Sequence, residues 1–212
     1  MDKQYWNALY QTQHDILKPS SFAKMVRKKY AAPMQSLLEL GCGNGRDAVF
    51  FANEGVKVTA IDQCENAINA IKEHNQHLAN CVFIPDDFTE LRDFENPFDI
   101  VYSRFTLHSV TETQEKRTLR WAHGNLRGGG YFCIEVRGQK NEIYGMGEKV
   151  EGETDAYIHD SHYRRFLNFD KLCESLKSLG FCLNFAAEAK DFAPYAGQNE
   201  TFIRIIAQKT RE

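Results

Sequence analysis

The stretch "LLELGCGNGRDAVFFANEGVKVTAID", residues 37 to 62, sets a glycine-rich turn and a segment of helical length between two apolar runs, and it ends on an aspartate. Leu37, Leu38 and Leu40 read as the end of a buried strand. Gly41, Gly43 and Gly45 then permit a tight turn with backbone close to a ligand, and the chain continues from Arg46 as a helix. The next strand, "VKVTAID", delivers Asp62 at its carboxyl end, 17 residues after Gly45, where a carboxylate can accept hydrogen bonds from both ribose hydroxyls. Amide groups at the helix start face the same place. The unit therefore reads as a nucleoside site built on a strand, a turn, a helix and a second strand.

The rest of the chain repeats that rhythm. Strand candidates are Ser36 to Leu40, Val56 to Ile61, Cys81 to Ile84, Asp99 to Ser103 and Tyr131 to Arg137, with helix candidates Asn44 to Asn53, Glu65 to Leu78 and Glu112 to Leu126 between them. Two helices, Lys3 to Gln11 and Ser20 to Tyr30, are expected before the first strand, and a helix from Phe169 to Leu179 with two strands, Phe181 to Ala187 and Glu200 to Gln208, at the end. The expectation is an α/β fold: a doubly wound, mostly parallel seven-stranded sheet with helices on both faces and an antiparallel last strand. It forms one domain over 1–212, with a helical cap at 1–33, a cofactor-binding core at 34–137, a lid or insertion at 138–166 and a C-terminal helix with the final strand pair at 167–212. The roughly 29 residues from Gly138 to Phe166 show no clean period.

Charge and cysteine usage narrow the ligand. A formal net charge of −3 and a pI near 6.2 provide no global attraction for phosphate backbones or anionic lipid, so nucleic acid is not the expected partner and a small molecule is. Six cysteines without a C-x-x-C pair, together with an N-terminus, MDKQYWNALY, that lacks an apolar core, lead to the expectation of a reduced, cytoplasmic protein. No apolar run approaches the ~18–20 residues a membrane-spanning helix requires, and the mean hydropathy is −0.51.

The glycine turn is not that of a dinucleotide site. Its spacing is G-x-G-x-G rather than G-x-G-x-x-G, and Glu39 stands before the first glycine, where it would repel a pyrophosphate and attract an ammonium group. A cationic, amino-acid-bearing nucleoside fits better. Here the chain resembles the class I S-adenosylmethionine-dependent methyltransferases: "ELGCGNGR" is similar to their first motif, "AID" to their second-strand acid and "IPDDF" to their adenine motif. "LRGGGYFCIE" resembles their turn into strand five, and "GFCLNF" with "ETFIRIIAQK" their final antiparallel pair. "LGCGNGRDAVFFANEG" also looks like the tellurite-resistance type. The resemblance implies S-adenosylmethionine as cofactor, with Glu39 near its amino group, Gly41, Cys42, Gly43, Asn44 and Gly45 passing beneath it, Arg46, Gln63 and Ser103 beside it, and Asp62 on the ribose. Asp87 or Asp86 would accept from the adenine amino group while the Phe88 amide donates to the ring. A helix N-cap before Thr89 is the competing role for Asp87.

Methyl transfer asks mainly for alignment, exclusion of water and, for an alcohol, removal of a proton. Candidates are Tyr102 and His108 at the end of strand four, and "YIHDSHYRRF", residues 157 to 166, where Arg164 and Arg165 could clamp a carboxylate or phosphate with His162 or His159 as base. No metal is expected, although His159 and His162 have an H-x-x-H spacing. Three readings are open: a methyltransferase for a small anionic metabolite, with oxygen favoured and a homodimer possible; an RNA or protein methyltransferase; and a cofactor-binding regulatory protein without turnover.

Overall fold

A computed structural model describes residues 18–195 and 197–211. The expected helix Lys3 to Gln11, with Tyr5, Trp6 and Tyr10, lies outside the described residues. In chain order the elements are α1 (Ser21–Lys29), β1 (Ser36–Leu40), α2 (Arg46–Asn53), β2 (Lys57–Asp62), α3 (Glu65–His74), β3 (Cys81–Pro85), β4 (Phe98–Arg104), α4 (Glu112–Asn125) and β5 (Leu126–Arg137). They continue with β6 (Glu148–Lys149), β7 (Ala156–His159), β8 (His162–Arg165), α5 (Phe169–Ser178), β9 (Phe181–Ala189) and β10 (Phe202–Lys209).

Seven strands form one sheet in the order β3-β2-β1-β4-β5-β10-β9. The first five pair in parallel, and β10 runs antiparallel to both neighbours. This is the doubly wound fold expected from sequence. Alternation along each strand sends successive side chains to opposite faces, and both faces are covered. Leu37, Ala60, Ile100, Tyr102 and Cys133 pack under α1, α2 and α3 with Phe22, Phe51 and Ile68, while Leu38, Leu40, Val101 and Ile134 pack under α4 and α5 with Leu119, Leu172 and Leu176. Each such leucine or phenylalanine contributes ~1.5–3 kcal/mol on burial. That core offsets the cost of the one acid in β1, Glu39, which is 4% exposed.

Three departures from expectation have local reasons. α3 stops at His74 because the Asn75 amide side chain donates to the Ile71 carbonyl at 2.9 Å, alongside its own backbone N–H. β5 begins at Leu126, so Gly128 to Gly130 lie within a strand, where a register shift between Phe98 and Ile100 absorbs them. Residues 138–166 are not irregular: β6, β7 and β8 form a separate antiparallel sheet. Its β7–β8 turn places Asp160 and Ser161 at φ 52° and 58°, the two positive-φ positions of a two-residue hairpin. Strands of two to four residues are too short to show a period.

Candidate ligand cavity at the glycine turn

The carboxyl ends of β1, β2 and β4 surround an open cleft. Its wall comprises Glu39, Gly41, Cys42, Asn44, Arg46 and Asp47 from β1 and the turn, Asp62 and Gln63 from β2, and Arg104, Phe105, Thr106 and Ser109 from the end of β4. Gly41, Gly43 and Gly45 have φ of 67°, 56° and 75°, values that L side chains rarely adopt. A side chain at Gly41 would also collide with Thr106 Cγ2. Gly45 ends the turn as the N-cap of α2 and has no side chain to cap it; the Arg46 amide reaches Asn44 Oδ1 at 3.4 Å, and the next amides of the first turn have no intrahelical acceptor.

Asp62 is 7% exposed and holds the turn: Oδ2 accepts from the Gly43 amide and Oδ1 from the Cys64 amide, both at 2.8 Å. Burial raises its pKa and the two amides oppose that. Each carboxylate oxygen keeps a further lone pair for a hydroxyl. Glu39 is pushed well above the usual carboxylate range by burial and then by Asp47, against Arg46 and Arg104. Asp47 accepts from the Ser20 amide at 2.8 Å, the Ser20 hydroxyl at 2.7 Å and the Tyr102 hydroxyl at 2.9 Å, tying α1 to the cavity wall. Phe105 adopts φ 60° between the Arg104 guanidinium, 4.0 Å from its centroid, and the Phe202 ring, 4.8 Å away. Backbone strain of this kind persists where the surroundings enforce it, and it clusters at functional sites.

Three buried polar atoms in this wall make no hydrogen bond to a described residue: Glu39 Oε2, Gln63 Nε2 and Ser109 Oγ. Native interiors pair the great majority of such atoms. Their convergence fits a ligand that brings a donor to Glu39 and acceptors to Gln63. The adenine-motif acids sit at the adjoining strand end, since the Asp86 amide donates to the Asp62 carbonyl at 2.9 Å. Asp86 pairs with Arg92 at 2.6 Å, whereas Asp87 Oδ1 caps the turn at Thr89, accepting from its amide at 2.9 Å and its hydroxyl at 2.8 Å. Phe88 is buried beneath, and Ser103 Oγ is bonded to Thr106 Oγ1 at 2.5 Å, inside the wall.

The residues expected to do chemistry lie elsewhere. Tyr102 is fully buried, stacked on Phe22 at 5.1 Å, and its hydroxyl donates to Asp47, which places it in the core. His108 is 4% exposed and its Nδ1 accepts from the Arg137 amide at 3.4 Å. Burial holds its pKa well below 6.5, with Arg137, His162, Arg164 and Arg165 adding to the effect. A neutral ring accepting at Nδ1 carries its proton on Nε2, which leaves no lone pair for a base. Arg164 and Arg165, adjacent in β8, point to opposite faces and form no clamp. Arg165 is paired with Glu115 and donates to the Val110 carbonyl at 3.1 Å, while Arg164 donates to the His159 carbonyl at 2.8 Å. His162 is 2% exposed where β8 packs on the turn Leu107–Ser109. Arg137 pairs with Glu200, and Tyr144 donates to Asp155 at 2.7 Å within an aromatic cluster with Tyr157 and Phe166. Among the described residues no group of three His, Cys, Asp or Glu side chains could hold a metal, and no helix is long and apolar enough to cross a membrane.

Asp47 and Ser109 are wall residues for which the sequence offered no role, while Arg104, Phe105 and Thr106 follow Ser103 at the carboxyl end of strand four, where substrate was expected. One signal for Arg104 was present: β4 alternates, so whichever face carries Tyr102 also carries Arg104.

Residues 37–130 match the family described as a methyltransferase domain. An uncharacterized methyltransferase of Synechocystis sp. is 27% identical over 103 residues, covering 49% of this chain and 47% of the relative, so the chain matches about half of that protein's length. The ubiquinone biosynthesis O-methyltransferase of Coxiella burnetii is 27% identical over 177 residues, covering 79% and 74%. Among solved structures, the Burkholderia thailandensis 1,6-didemethyltoxoflavin-N1-methyltransferase, with bound 1,6-didemethyltoxoflavin and S-adenosylhomocysteine, superposes with a TM-score of 0.71 at 20% identity over 98% of this chain and 84% of that one. At that identity the likeness establishes the fold.

Proposed function

We propose that this chain, whose residues 37–130 form a methyltransferase domain on a class I fold, transfers the methyl group of S-adenosylmethionine to a small, anionic acceptor, with oxygen the favoured atom. The observation that carries the reading is the convergence of Glu39 Oε2, Gln63 Nε2 and Ser109 Oγ, all buried and unpaired, on one cleft at the glycine turn.

When bound, the cofactor supplies an electrophilic methyl on a sulfonium centre. Glu39 accepts from its ammonium group, the Gly41–Gly45 backbone lies beneath it, Asp62 uses its remaining lone pairs for the ribose hydroxyls, and Asp87 takes the adenine amino group. Ionising Glu39 in this buried place is unfavourable in the free protein, so a cationic partner is what stabilises its charge. The wall from Arg104 to Ser109 orients the acceptor and excludes water, which is most of what an in-line displacement requires.

Two observations support the acceptor class. Among the described lining residues there is no histidine, and an acceptor that arrives already anionic brings its own nucleophile without needing one. The Coxiella and Burkholderia proteins are named for small-molecule acceptors, one methylated on oxygen and one on nitrogen.

Calorimetric titration of S-adenosylmethionine, S-adenosylhomocysteine and NAD into the wild-type chain tests the reading. Both adenosyl ligands should bind and NAD should not. Binding of NAD alone would sink it. Consumption of S-adenosylmethionine against a panel of carboxylates, phenols and phosphorylated sugars then identifies the acceptor.

A further inference from the structure

Arg104 is the last residue of β4 and shares a sheet face with Glu39, because Glu39 is in register with Tyr102 and alternation returns to that face two residues later. Its guanidinium is held rigidly. Nε donates to Glu135 Oε1 at 2.8 Å, and the group lies 4.0 Å from the Phe105 centroid. Glu135, 1% exposed, also accepts from Arg204 Nε through its other oxygen. Two guanidinium groups therefore share one carboxylate, so neither has it to itself. Arg204 also donates from Nη2 to the Ser21 hydroxyl, at 2.7 Å, and to the Phe192 carbonyl. Arg104 has no such partners: its Nη1 and Nη2 make no hydrogen bond to a described residue, and the side chain lines the cavity.

A planar guanidinium fixed at Nε, with both terminal nitrogens open, is a donor fork for a carboxylate. Across the same wall stands Glu39, with Oε2 open for an ammonium group. We propose that Arg104 binds a carboxylate of the ligand in this cavity, supplied either by the amino-acid end of the methyl donor or by the acid group of the acceptor. The inference rests on the methyltransferase reading for the identity of those ligands. The competing role is structural, with Arg104 joining β4 to β5 through Glu135 and nothing more.

The test compares wild type, Arg104→Gln and Arg104→Lys by calorimetry with three probes. These are S-adenosylhomocysteine, methylthioadenosine, which keeps the nucleoside and lacks the amino-acid end, and sodium benzoate, the last titrated into both unliganded and S-adenosylhomocysteine-saturated protein. Charge-assisted hydrogen bonds of this kind correspond to a roughly tenfold to hundredfold change in affinity. Weakening of S-adenosylhomocysteine by that factor in Arg104→Gln, with methylthioadenosine unchanged, assigns the carboxylate to the methyl donor. Unchanged S-adenosylhomocysteine with loss of benzoate binding assigns it to the acceptor. Unchanged affinity for both carboxylates overturns the proposal, as does equal weakening of all three probes in both variants, which would make Arg104 structural. Failure of the wild type to bind S-adenosylhomocysteine would sink the methyl-donor reading, while benzoate binding to the unliganded protein would still report on Arg104.

Discussion

The glycine-turn end of the sheet and the three-stranded insert of β6 to β8 are both dense in polar and charged side chains, but they use them in opposite ways. In the insert Arg165 is answered by Glu115, Arg164 by the His159 carbonyl and Tyr144 by Asp155. At the glycine turn, Glu39, Gln63 and Ser109 keep buried polar atoms unanswered. The density of chemically able residues is thus a poor guide to a site. Unsatisfied hydrogen-bonding capacity at a cavity is a better one, because leaving it unmet costs free energy that a ligand can return.

If the insert is a scaffold and the glycine turn a binding site, mutations should separate into those that move stability and those that move affinity. The largest effect is expected for Arg165→Ala, which strands the buried Glu115 carboxylate and should cost about 3–5 kcal/mol, lowering Tm by roughly 6–20 °C for a chain of this size. S-adenosylhomocysteine affinity, measured where the variant is folded, should stay within twofold of wild type. A selective loss of affinity without a lower Tm would break the comparison. Replacing both partners, Arg165→Met with Glu115→Leu, should recover most of the stability.

Asp62→Ala should do the reverse. It removes the ribose acceptor and the brace on Gly43, so S-adenosylhomocysteine should bind about a hundredfold more weakly, roughly 2.7 kcal/mol, with a smaller shift in melting. Calorimetry and thermal melts on the same preparation decide between the two patterns.

Glu39→Gln sharpens the comparison by linking the two quantities. A carboxyl whose folded pKa lies above its unfolded value near 4.5 holds extra protons in the fold, so stability falls as pH rises from the unfolded value through the folded one. The glutamine variant should therefore be more stable than wild type at pH 7–8, by about 1–2 kcal/mol, and should lose that advantage near pH 4. It should also bind S-adenosylhomocysteine roughly tenfold more weakly. Melting curves across that range would refute the assignment if the variant were less stable at neutral pH.

The smallest effect concerns His108, whose folded pKa lies well below 6.5. Here the unfolded chain binds the extra proton, so stability is present above the unfolded value and declines as pH falls below about 6.5. His108→Asn keeps an acceptor for the Arg137 amide and should flatten the decline in Tm between pH 6.5 and 5, by about 1 kcal/mol or less. At neutral pH it should leave S-adenosylhomocysteine affinity unchanged.

Much of this molecule is written in short-range pattern. The apolar run of β1, the three glycines and Asp62 lie within 26 residues, and their geometry follows from alternation, from positive φ that glycine tolerates and from two amides that fall within reach of one carboxylate. The mostly parallel character of the sheet follows from the same rhythm of strands and helices. What sequence leaves open is the partner of each polar side chain. Glu115 is 50 residues from Arg165, Glu135 is 69 from Arg204, and Asp47 is 55 from Tyr102. Those distances are closed by packing of the whole sheet and its helices, and no local spacing encodes them. So the sequence alone marked the glycine turn and the acids beside it, while the tertiary structure decided which polar side chains find partners at home and which, Glu39 above all, keep open capacity at a cavity.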